Sequence, residues 1–236
     1  MKSTKINLKN AMFLLDNYQK ILREIGQVRL VAVSKTKPIS DLQEAYEAGV
    51  RDFGENKVQE MCEKKPHLPQ DIRWHLIGHL QTNKVKYIAP FVHLIHSVDS
   101  LKLLQEINKQ AQKHNRIINC LLQIHIAQEE TKFGLSYEEA ENILQSSVLQ
   151  ELKNICIKGL MGMATFTDQT EQIRQEFRGL AEFFKHCQTK YSSFNTDFQE
   201  LSMGMSGDYP IAIAEGSTMI RVGSALFGER EYPTRV

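Results

Sequence analysis

The chain has 236 residues, 42% of them hydrophobic and 24% charged, which is typical of one α/β barrel or of two small domains. A net charge of +1 gives no bulk electrostatic reason to expect nucleic acid, a membrane surface or an acidic partner. The start of the chain lacks the apolar core of a signal peptide, and no apolar run is long enough to span a membrane. We expect a cytoplasmic protein with reduced thiols, because its four cysteines are far apart and form no CxxC pair: Cys62, Cys120, Cys156 and Cys187.

Strands and helices are predicted to alternate along the whole chain. An amphipathic helix is predicted over residues 7–26, with an apolar stripe formed by Leu8, Met12, Leu15, Tyr18, Leu22 and Ile25. Capping boxes at residues 40–43 and 136–139 predict two more helix starts, and a longer helix is predicted over residues 170–188. Eight strands are predicted, at residues 28–35, 52–56, 72–78, 92–98, 117–124, 155–161, 198–203 and 218–222.

No linker rich in serine, proline or glycine interrupts this alternation. The sequence therefore predicts a single α/β domain over residues 1–236, built as a (β/α)8 TIM-type barrel with an extra N-terminal helix. An open, doubly wound sheet is the alternative architecture.

The first predicted strand ends in a lysine. Residues 28–34 form an apolar, β-branched run typical of a strand buried on both faces, and Pro38 ends the ladder because it has no N–H to donate. Alternate side chains of a strand share a face, so Lys35 lies on the face of Val31 and Val33 at the carboxyl end of the strand. A desolvated lysine is a nucleophilic amine that can form a Schiff base with an aldehyde. The alternative is that Lys35 extends to solvent without a function.

The loops after strands seven and eight carry small residues where β/α barrels often hold phosphate. Residues 203–207 and 221–224 both lead into helical segments, and Ser206 and Ser224 add hydroxyl donors. Alternatively, these glycines and serines only end the strands. By strand parity Arg221 points away from the helices, so its partner at the barrel mouth is either a carboxylate or a ligand's ring nitrogen or phosphate.

A lysine on the first strand, a phosphate cradle after the last two strands and an arginine between them suit pyridoxal 5′-phosphate (PLP). In this arrangement Lys35 forms the Schiff base, the two loops hold the phosphate and Arg221 faces the pyridine nitrogen. A permanently charged arginine opposes protonation of that nitrogen and weakens the ring as an electron sink, which favours binding over turnover.

Six motifs in chain order extend this interpretation over nearly the whole sequence: 31–38 (VAVSKTKP), 53–56 (FGEN), 74–84 (WHLIGHLQTNK), 159–161 (GLM), 201–206 (LSMGMS) and 221–228 (RVGSALFG). On these motifs the chain resembles the pyridoxal phosphate homeostasis protein family, small PLP-binding barrels related to the N-terminal domain of alanine racemase. The resemblance implies one PLP-binding barrel with the Schiff base on Lys35. It also implies Asn56 near the cofactor, Arg221 at the ring nitrogen, and phosphate contacts from Ser206, Gly223 and Ser224. Serine stands at position 224 where the resemblance leads us to expect threonine, and the hydroxyl is kept.

The expected function is PLP homeostasis, by buffering the cofactor or delivering it to PLP-requiring apo-enzymes. The racemase relatives take a second catalytic base from an additional β domain, and we expect no room for that domain after the last strand. A PLP-dependent amino acid racemase of narrow specificity is the alternative. A third candidate is a barrel enzyme that acts on a phosphorylated sugar or aldehyde through Lys35 without PLP. We expect a monomer, with no nucleic acid or membrane partner.

Neither catalytic residues nor metal ligands are predicted. His75 and His79 lie on a strand and the turn after it, so their spacing does not place them on one helix face, and His93 and His96 have opposite strand parity. Lys37 is the rival Schiff-base lysine, and it directly precedes the proline that begins the turn.

Overall fold

The eight predicted strands close into a parallel barrel. The computed structural model describes residues 13–129 and 132–228, in which each strand pairs with the next and the eighth pairs with the first. This closure confirms the predicted (β/α)8 barrel and excludes the open sheet. The strands are β1 Arg29–Val33, β2 Asp52–Glu55, β3 Arg73–Leu76, β4 Leu94–Val98, β5 Ile118–Ile124, β6 Ile155–Gly162, β7 Thr196–Ser202 and β8 Met219–Val222.

Helices cover the outside of the barrel. They are α1 Leu15–Ile25, α2 Ile39–Glu47, α3 Val58–Lys64, α4 Val85–Ile88, α5 Leu101–Lys113, α6 Tyr137–Gln145, α7 Ser147–Glu151, α8 Thr170–Lys190, α9 Tyr209–Ala214 and α10 Ser224–Phe227, with 3-10 turns at Lys65–His67 and Thr82–Lys84. Within residues 13–129 and 132–228, no helix is long and apolar enough to cross a membrane.

Strand parity divides the core into two zones. Outward-facing residues such as Ala32 and Ile220 pack in the large apolar layer between barrel and helices. Inward-facing residues form a small cluster inside the barrel, made of Val31, Leu94, Leu121, Met161 and Met219. Val31 pairs in register with Arg221, so the parity predicted for Arg221 is confirmed: its strand neighbours face the helices and it faces the barrel interior.

Two local predictions near the start of the chain are wrong. The first helix buries Tyr18, Ile21 and Ile25, while Leu15 and Leu22 are exposed, because the helix packs with a stripe rotated from the predicted one. Its predicted part before residue 13 lies outside the described residues, and it ends at Gly26 as expected.

The capping box at residues 40–43 is also wrong. The helix begins at Ile39, with Pro38 at the N-cap, because the Pro38 carbonyl already accepts from the Asp41 N–H; Ser40 therefore lies within the first turn. The second box, in which the Ser136 hydroxyl accepts from the Glu139 N–H, is confirmed.

Candidate cofactor site

A pocket of about 750 Å³ lies at the carboxyl ends of the strands. All six residues predicted to hold the cofactor line it. Lys35 and Asn56 follow β1 and β2, Arg221 lies on β8, and the others belong to the loops after β7 and β8. Arg221 is buried, Ser224 is exposed and the remaining four are half-buried; the six are Lys35, Asn56, Ser206, Arg221, Gly223 and Ser224. The roles assigned to these residues stay predictions.

Side chains of α3 hydrogen-bond to the turn that carries Lys35. The prediction that Lys35 lies on the first strand is wrong. The strand ends at Val33, so Lys35 lies two residues beyond it, in a turn where Thr36 has a left-handed φ of 65°. The Lys64 ammonium donates to the Ser34 carbonyl over 2.7 Å, and the Glu60 carboxylate accepts from the Thr36 N–H over 2.5 Å. Both residues flanking Lys35 are therefore fixed, which positions the lysine at the pocket.

Glu55 completes this network, which we call the turn clamp: Ser34, Thr36, Glu55, Glu60 and Lys64. The Glu55 Oε1 accepts from the Ser34 hydroxyl over 2.7 Å and from Lys64 over 2.8 Å. Lys64 also contacts Glu60 over 2.7 Å, so its three N–H groups meet three acceptors. Burial raises the pKa of Glu55, although Lys64 and Ser34 act in the opposite direction. Its other oxygen, Oε2, is buried without a hydrogen-bond partner among the described residues.

The phosphate-side loops pack against each other. The Ser206 hydroxyl accepts from the Gly223 N–H over 3.2 Å, which ties the loop after β7 to the loop after β8. Gly204 has a φ of 95°, and a Cβ there would lie 2.6 Å from the Cβ of Ala212, so this position requires glycine. Asp208, whose carboxylate accepts from the Met205 N–H, closes the same loop.

Within the described residues, the Arg221 guanidinium is hydrogen-bonded to a hydroxyl and to a carbonyl. Its Nη1 donates to the Ser202 hydroxyl over 2.7 Å and its Nη2 donates to the Gly162 carbonyl over 3.0 Å. The carboxylate predicted as its ordinary structural partner is absent from these contacts within the described residues. Burial lowers the pKa of Arg221 to about 10, with Asp208 acting in the opposite direction, so the guanidinium stays charged at neutral pH.

The sequence interpretation missed a row of polar side chains inside the barrel. His75 on β3, His96 on β4 and Ser202 on β7 are buried and hydrogen-bonded in line with Arg221 and Asp52. A sequence signal was available for His96, which has an apolar residue two positions away on either side in β4, whereas β7, which carries Ser202, contains several other polar residues. Buried polar groups of this kind are normally paired, so their presence predicts a network.

The structure separates the two lysines near β1 by their contacts. Lys37 also lines the pocket, but its ammonium donates to the Phe227 carbonyl over 2.5 Å. Lys35 lies between the two clamped residues of the turn, which favours it over Lys37.

The histidines that were considered as metal ligands lie in different surroundings. His79 pairs with Asp99 and lines the pocket, whereas His75 is buried. Asp52, His75 and His93 do come together, with potential ligand atoms within 4.8 Å of one another. Both oxygens of Asp52 accept hydrogen bonds from Arg73, over 2.7 and 2.6 Å, so this carboxylate is engaged in an ion pair.

Fold and site together define a class, the β/α barrels related to alanine racemase. The family model described as "Alanine racemase, N-terminal domain" matches residues 10–231. The pyridoxal phosphate homeostasis protein of Aquifex aeolicus (strain VF5) is 40% identical over 223 residues, covering 92% of this chain and 96% of that protein. The protein of the same name from Synechocystis sp. (strain ATCC 27184 / PCC 6803 / Kazusa) is 41% identical over 222 residues, covering 93% and 100%. The chain belongs to the pyridoxal phosphate homeostasis protein family, and the resemblance seen in its motifs is confirmed.

Solved structures give the same result for the fold. PipY of Synechococcus elongatus PCC7942 has been solved without PLP and with PLP bound, and both structures share 35% identity with this chain. Their TM-scores are 0.85 and 0.82, and each match covers 91% of this chain and 99% of PipY. The alanine racemase of Streptomyces coelicolor A3(2) has a TM-score of 0.73 at 15% identity, over 92% of this chain and 58% of the racemase, which is a likeness of fold alone.

Proposed function

We propose that this protein binds PLP as a Schiff base on Lys35 and serves in intracellular PLP homeostasis, by buffering the cofactor or delivering it. One observation carries the proposal: a single pocket brings together a lysine, two small-residue loops and a charged arginine, taken from β1, β7 and β8. These are the groups that an aldehyde, a phosphate and a pyridine nitrogen need. Membership of the homeostasis family and the PLP-bound structure of PipY support the choice of ligand.

In this proposal each residue has a separate task. Lys35 supplies the amine, held by the turn clamp at the carboxyl end of β1. Ser206, Gly223 and Ser224 meet the phosphate with hydroxyl and backbone donors, and Asn56 lies beside the cofactor. Arg221 donates to the ring nitrogen. PLP stabilises carbanions best when its ring nitrogen is protonated. A guanidinium only donates hydrogen bonds, so it cannot accept one from a protonated ring nitrogen and does not favour that state.

The same chemistry favours a carrier over an enzyme. Racemisation needs a base on each face of the substrate carbon, and Lys35 supplies one. The relatives named as homeostasis proteins are matched over nearly their whole length, whereas the racemase is matched over 58% of its chain. We therefore propose a binding role in the cytoplasm, as a monomer, with PLP-requiring apo-enzymes as recipients. Four cysteines with free thiols suit a reducing compartment.

An absorbance titration with PLP, followed by borohydride reduction and peptide mapping, tests the proposal. A Schiff-base band that is lost in Lys35→Ala, retained in the matched variant Lys37→Ala and mapped to Lys35 is the expected result. A protein that forms no band and yields no phosphopyridoxyl peptide does not bind PLP in this way, and the proposal fails.

A PLP-dependent racemase is the second candidate, because the matching family model is that of an alanine racemase domain. Such an enzyme exchanges the α-proton of its substrate with solvent deuterium. We expect no exchange above the rate of free PLP across a panel of amino acids. Exchange that depends on Lys35 with one amino acid would establish the racemase instead.

A further inference from the structure

A continuous line of hydrogen bonds crosses the barrel interior from Arg221 to Asp52. The Arg221 Nη1 lies 2.7 Å from the Ser202 Oγ, which lies 3.0 Å from the His96 Nδ1. The His96 Nε2 lies 2.9 Å from the His75 Nδ1, and the His75 Nε2 lies 2.9 Å from an Asp52 oxygen. All five side chains are buried, and they come from five different strands, so the line joins the pocket end of the barrel to its opposite end.

Arg221 fixes the direction of the first bond in this line. A guanidinium can only donate, so the Ser202 oxygen accepts from Arg221, and its own hydroxyl proton can be donated to the His96 Nδ1. In that arrangement the His96 Nδ1 carries no proton, and His96 is protonated on Nε2. The His96 Nε2–H donates to the His75 Nδ1, which leaves the His75 proton on Nε2, where it meets the carboxylate of Asp52.

The opposite end gives the same direction independently. Both oxygens of Asp52 accept from one edge of the Arg73 guanidinium, its Nε and Nη2, and this pair keeps the carboxylate ionised. Burial opposes the charge of Asp52, but the hydrogen bonds of Arg73 and His75 outweigh burial and lower its pKa. A carboxylate accepts, so His75 must donate through Nε2. Burial lowers the pKa of His75 and of His96, so both rings are neutral and each carries one proton. The Asp52 end thus requires this arrangement of protons, and the donor-only Arg221 at the other end is compatible with it.

We propose that Ser202, His96 and His75 are positioning residues that hold Arg221, through a one-way chain of donors ending on Asp52, in the orientation in which it meets the bound ligand. The contact between Arg221 and the ligand's ring nitrogen rests on the proposed function; the chain itself does not.

The chain has a chemical consequence for Arg221. The guanidinium has five N–H groups; the Ser202 hydroxyl and the Gly162 carbonyl take two of them, and Arg221 itself lines the pocket. The Ser202 proton is already committed to His96. Arg221 therefore presents its N–H groups to the pocket in a fixed orientation, and the Ser202 hydroxyl behind it has no proton left to donate. Hydrogen bonds in such a line polarise one another, so loss of one member weakens the others.

The proton arrangement is tested by 15N NMR of the ligand-free protein, which does not depend on PLP. Long-range couplings of the imidazole nitrogens are expected to show His75 and His96 as neutral rings protonated on Nε2. A proton on Nδ1 of either ring, or an imidazolium at neutral pH, reverses the direction of the chain and overturns the proposal.

The positioning role is tested with Ser202→Ala, with His93→Gln as the matched control. His93 packs beside His75 with a ring distance of 5.4 Å but is not a member of the chain. In Ser202→Ala we expect the Arg221 N–H protons to exchange with water at least tenfold faster, and PLP to bind at least tenfold more weakly with a shifted absorbance band. His93→Gln changes each value less than twofold.

The outcomes separate this inference from the proposed function. If the wild-type protein binds no PLP, the proposed function fails, and the exchange rates of Arg221 still decide the positioning role. If PLP binds and folded Ser202→Ala matches the wild type in exchange, affinity and spectrum, the positioning role fails while the proposed function stands.

Discussion

Replacing Lys64 by methionine removes the centre of the turn clamp while keeping the length of the side chain. The Lys64 side chain is 7% exposed and the Glu55 side chain is fully buried. Methionine fills much the same volume but donates nothing. The substitution therefore removes the cation that pairs with the Glu55 carboxylate, whose Oε2 already lacks a hydrogen-bond partner among the described residues. It also removes the ammonium that donates to the Ser34 carbonyl.

The expected cost is about 3–5 kcal/mol of unfolding free energy, since removing one member of a buried ion pair leaves an uncompensated charge. For a chain of this size it corresponds to a fall in melting temperature of roughly 10 °C. The exposed lysine Lys20, which forms an i,i+4 pair with Glu24 on α1, is the matched control. Lys20→Met is expected to cost less than about 0.5 kcal/mol.

Urea unfolding of a double-mutant cycle measures the effect. Glu55→Gln in the Lys64→Met background removes the stranded charge, so we expect it to recover at least half of the loss. Hydrogen exchange at the Thr36 amide reports the turn directly and is expected to accelerate in Lys64→Met. A Lys64→Met protein within about 1 kcal/mol of the wild type, or a second substitution that recovers nothing, would refute the reasoning.

The cost also depends on pH with a definite sign. The pKa of Glu55 is raised from its usual 4.5 in the folded protein, and loss of Lys64 raises it further. A folded-state pKa above the unfolded value means that stability is fully present below pH 4.5 and is lost as pH rises toward the folded pKa. The gap between Lys64→Met and the wild type is therefore expected to be smaller at pH 4 than at pH 7.

Three further substitutions test other parts of the fold. Gly204→Ala is expected to lower the free energy of unfolding by about 2 kcal/mol and to weaken PLP binding, because φ is 95° there and a Cβ has no room. Denaturant unfolding and a PLP titration measure the two effects, and a variant that matches the wild type in both contradicts the account. Asp52→Asn weakens the ion pair with Arg73 and is expected to lower the free energy of unfolding by about 2 kcal/mol at pH 7. Because the pKa of Asp52 is lowered in the folded protein, the stability that its charge contributes is present above about pH 4 and is lost as pH falls. An equal cost of the substitution at pH 7 and pH 3 would contradict this reasoning. Phe177→Ala is expected to cost about 3–5 kcal/mol by calorimetry, whereas Phe166→Ala, at a 95% exposed position, is expected to change stability by less than about 0.5 kcal/mol.

The sequence correctly predicted features that depend on the spacing of residues close together in the chain. Strand parity correctly placed Arg221 inside the barrel, since alternation needs only the neighbouring residues. The Ser136 capping box was found for the same reason, because its two partners are three residues apart. The Ser40 box failed although its pattern was local, because the carbonyl of Pro38 had already begun the helix.

Features that join distant parts of the chain could not be predicted in this way. Lys64 contacts Ser34 across 30 residues, and Ser202 contacts His96 across 106 residues. Periodicity shows that such a residue is polar and which face it occupies. It does not show which side chain faces it, because the partner depends on the tilt and register of strands that pair only in the closed barrel.

The two networks act on opposite ends of the same ligand, in the proposed function. The turn clamp fixes the residues around Lys35 from outside β1, and the chain from Arg221 runs inside the barrel, so the two share no member. Each holds its group before any ligand arrives, and the entropy of ordering these side chains is then part of folding instead of binding. A carrier built in this way binds PLP without rearranging its barrel. Release then depends on breaking the bond to Lys35, so an amine that competes for the aldehyde is expected to speed release more than loosening either network does.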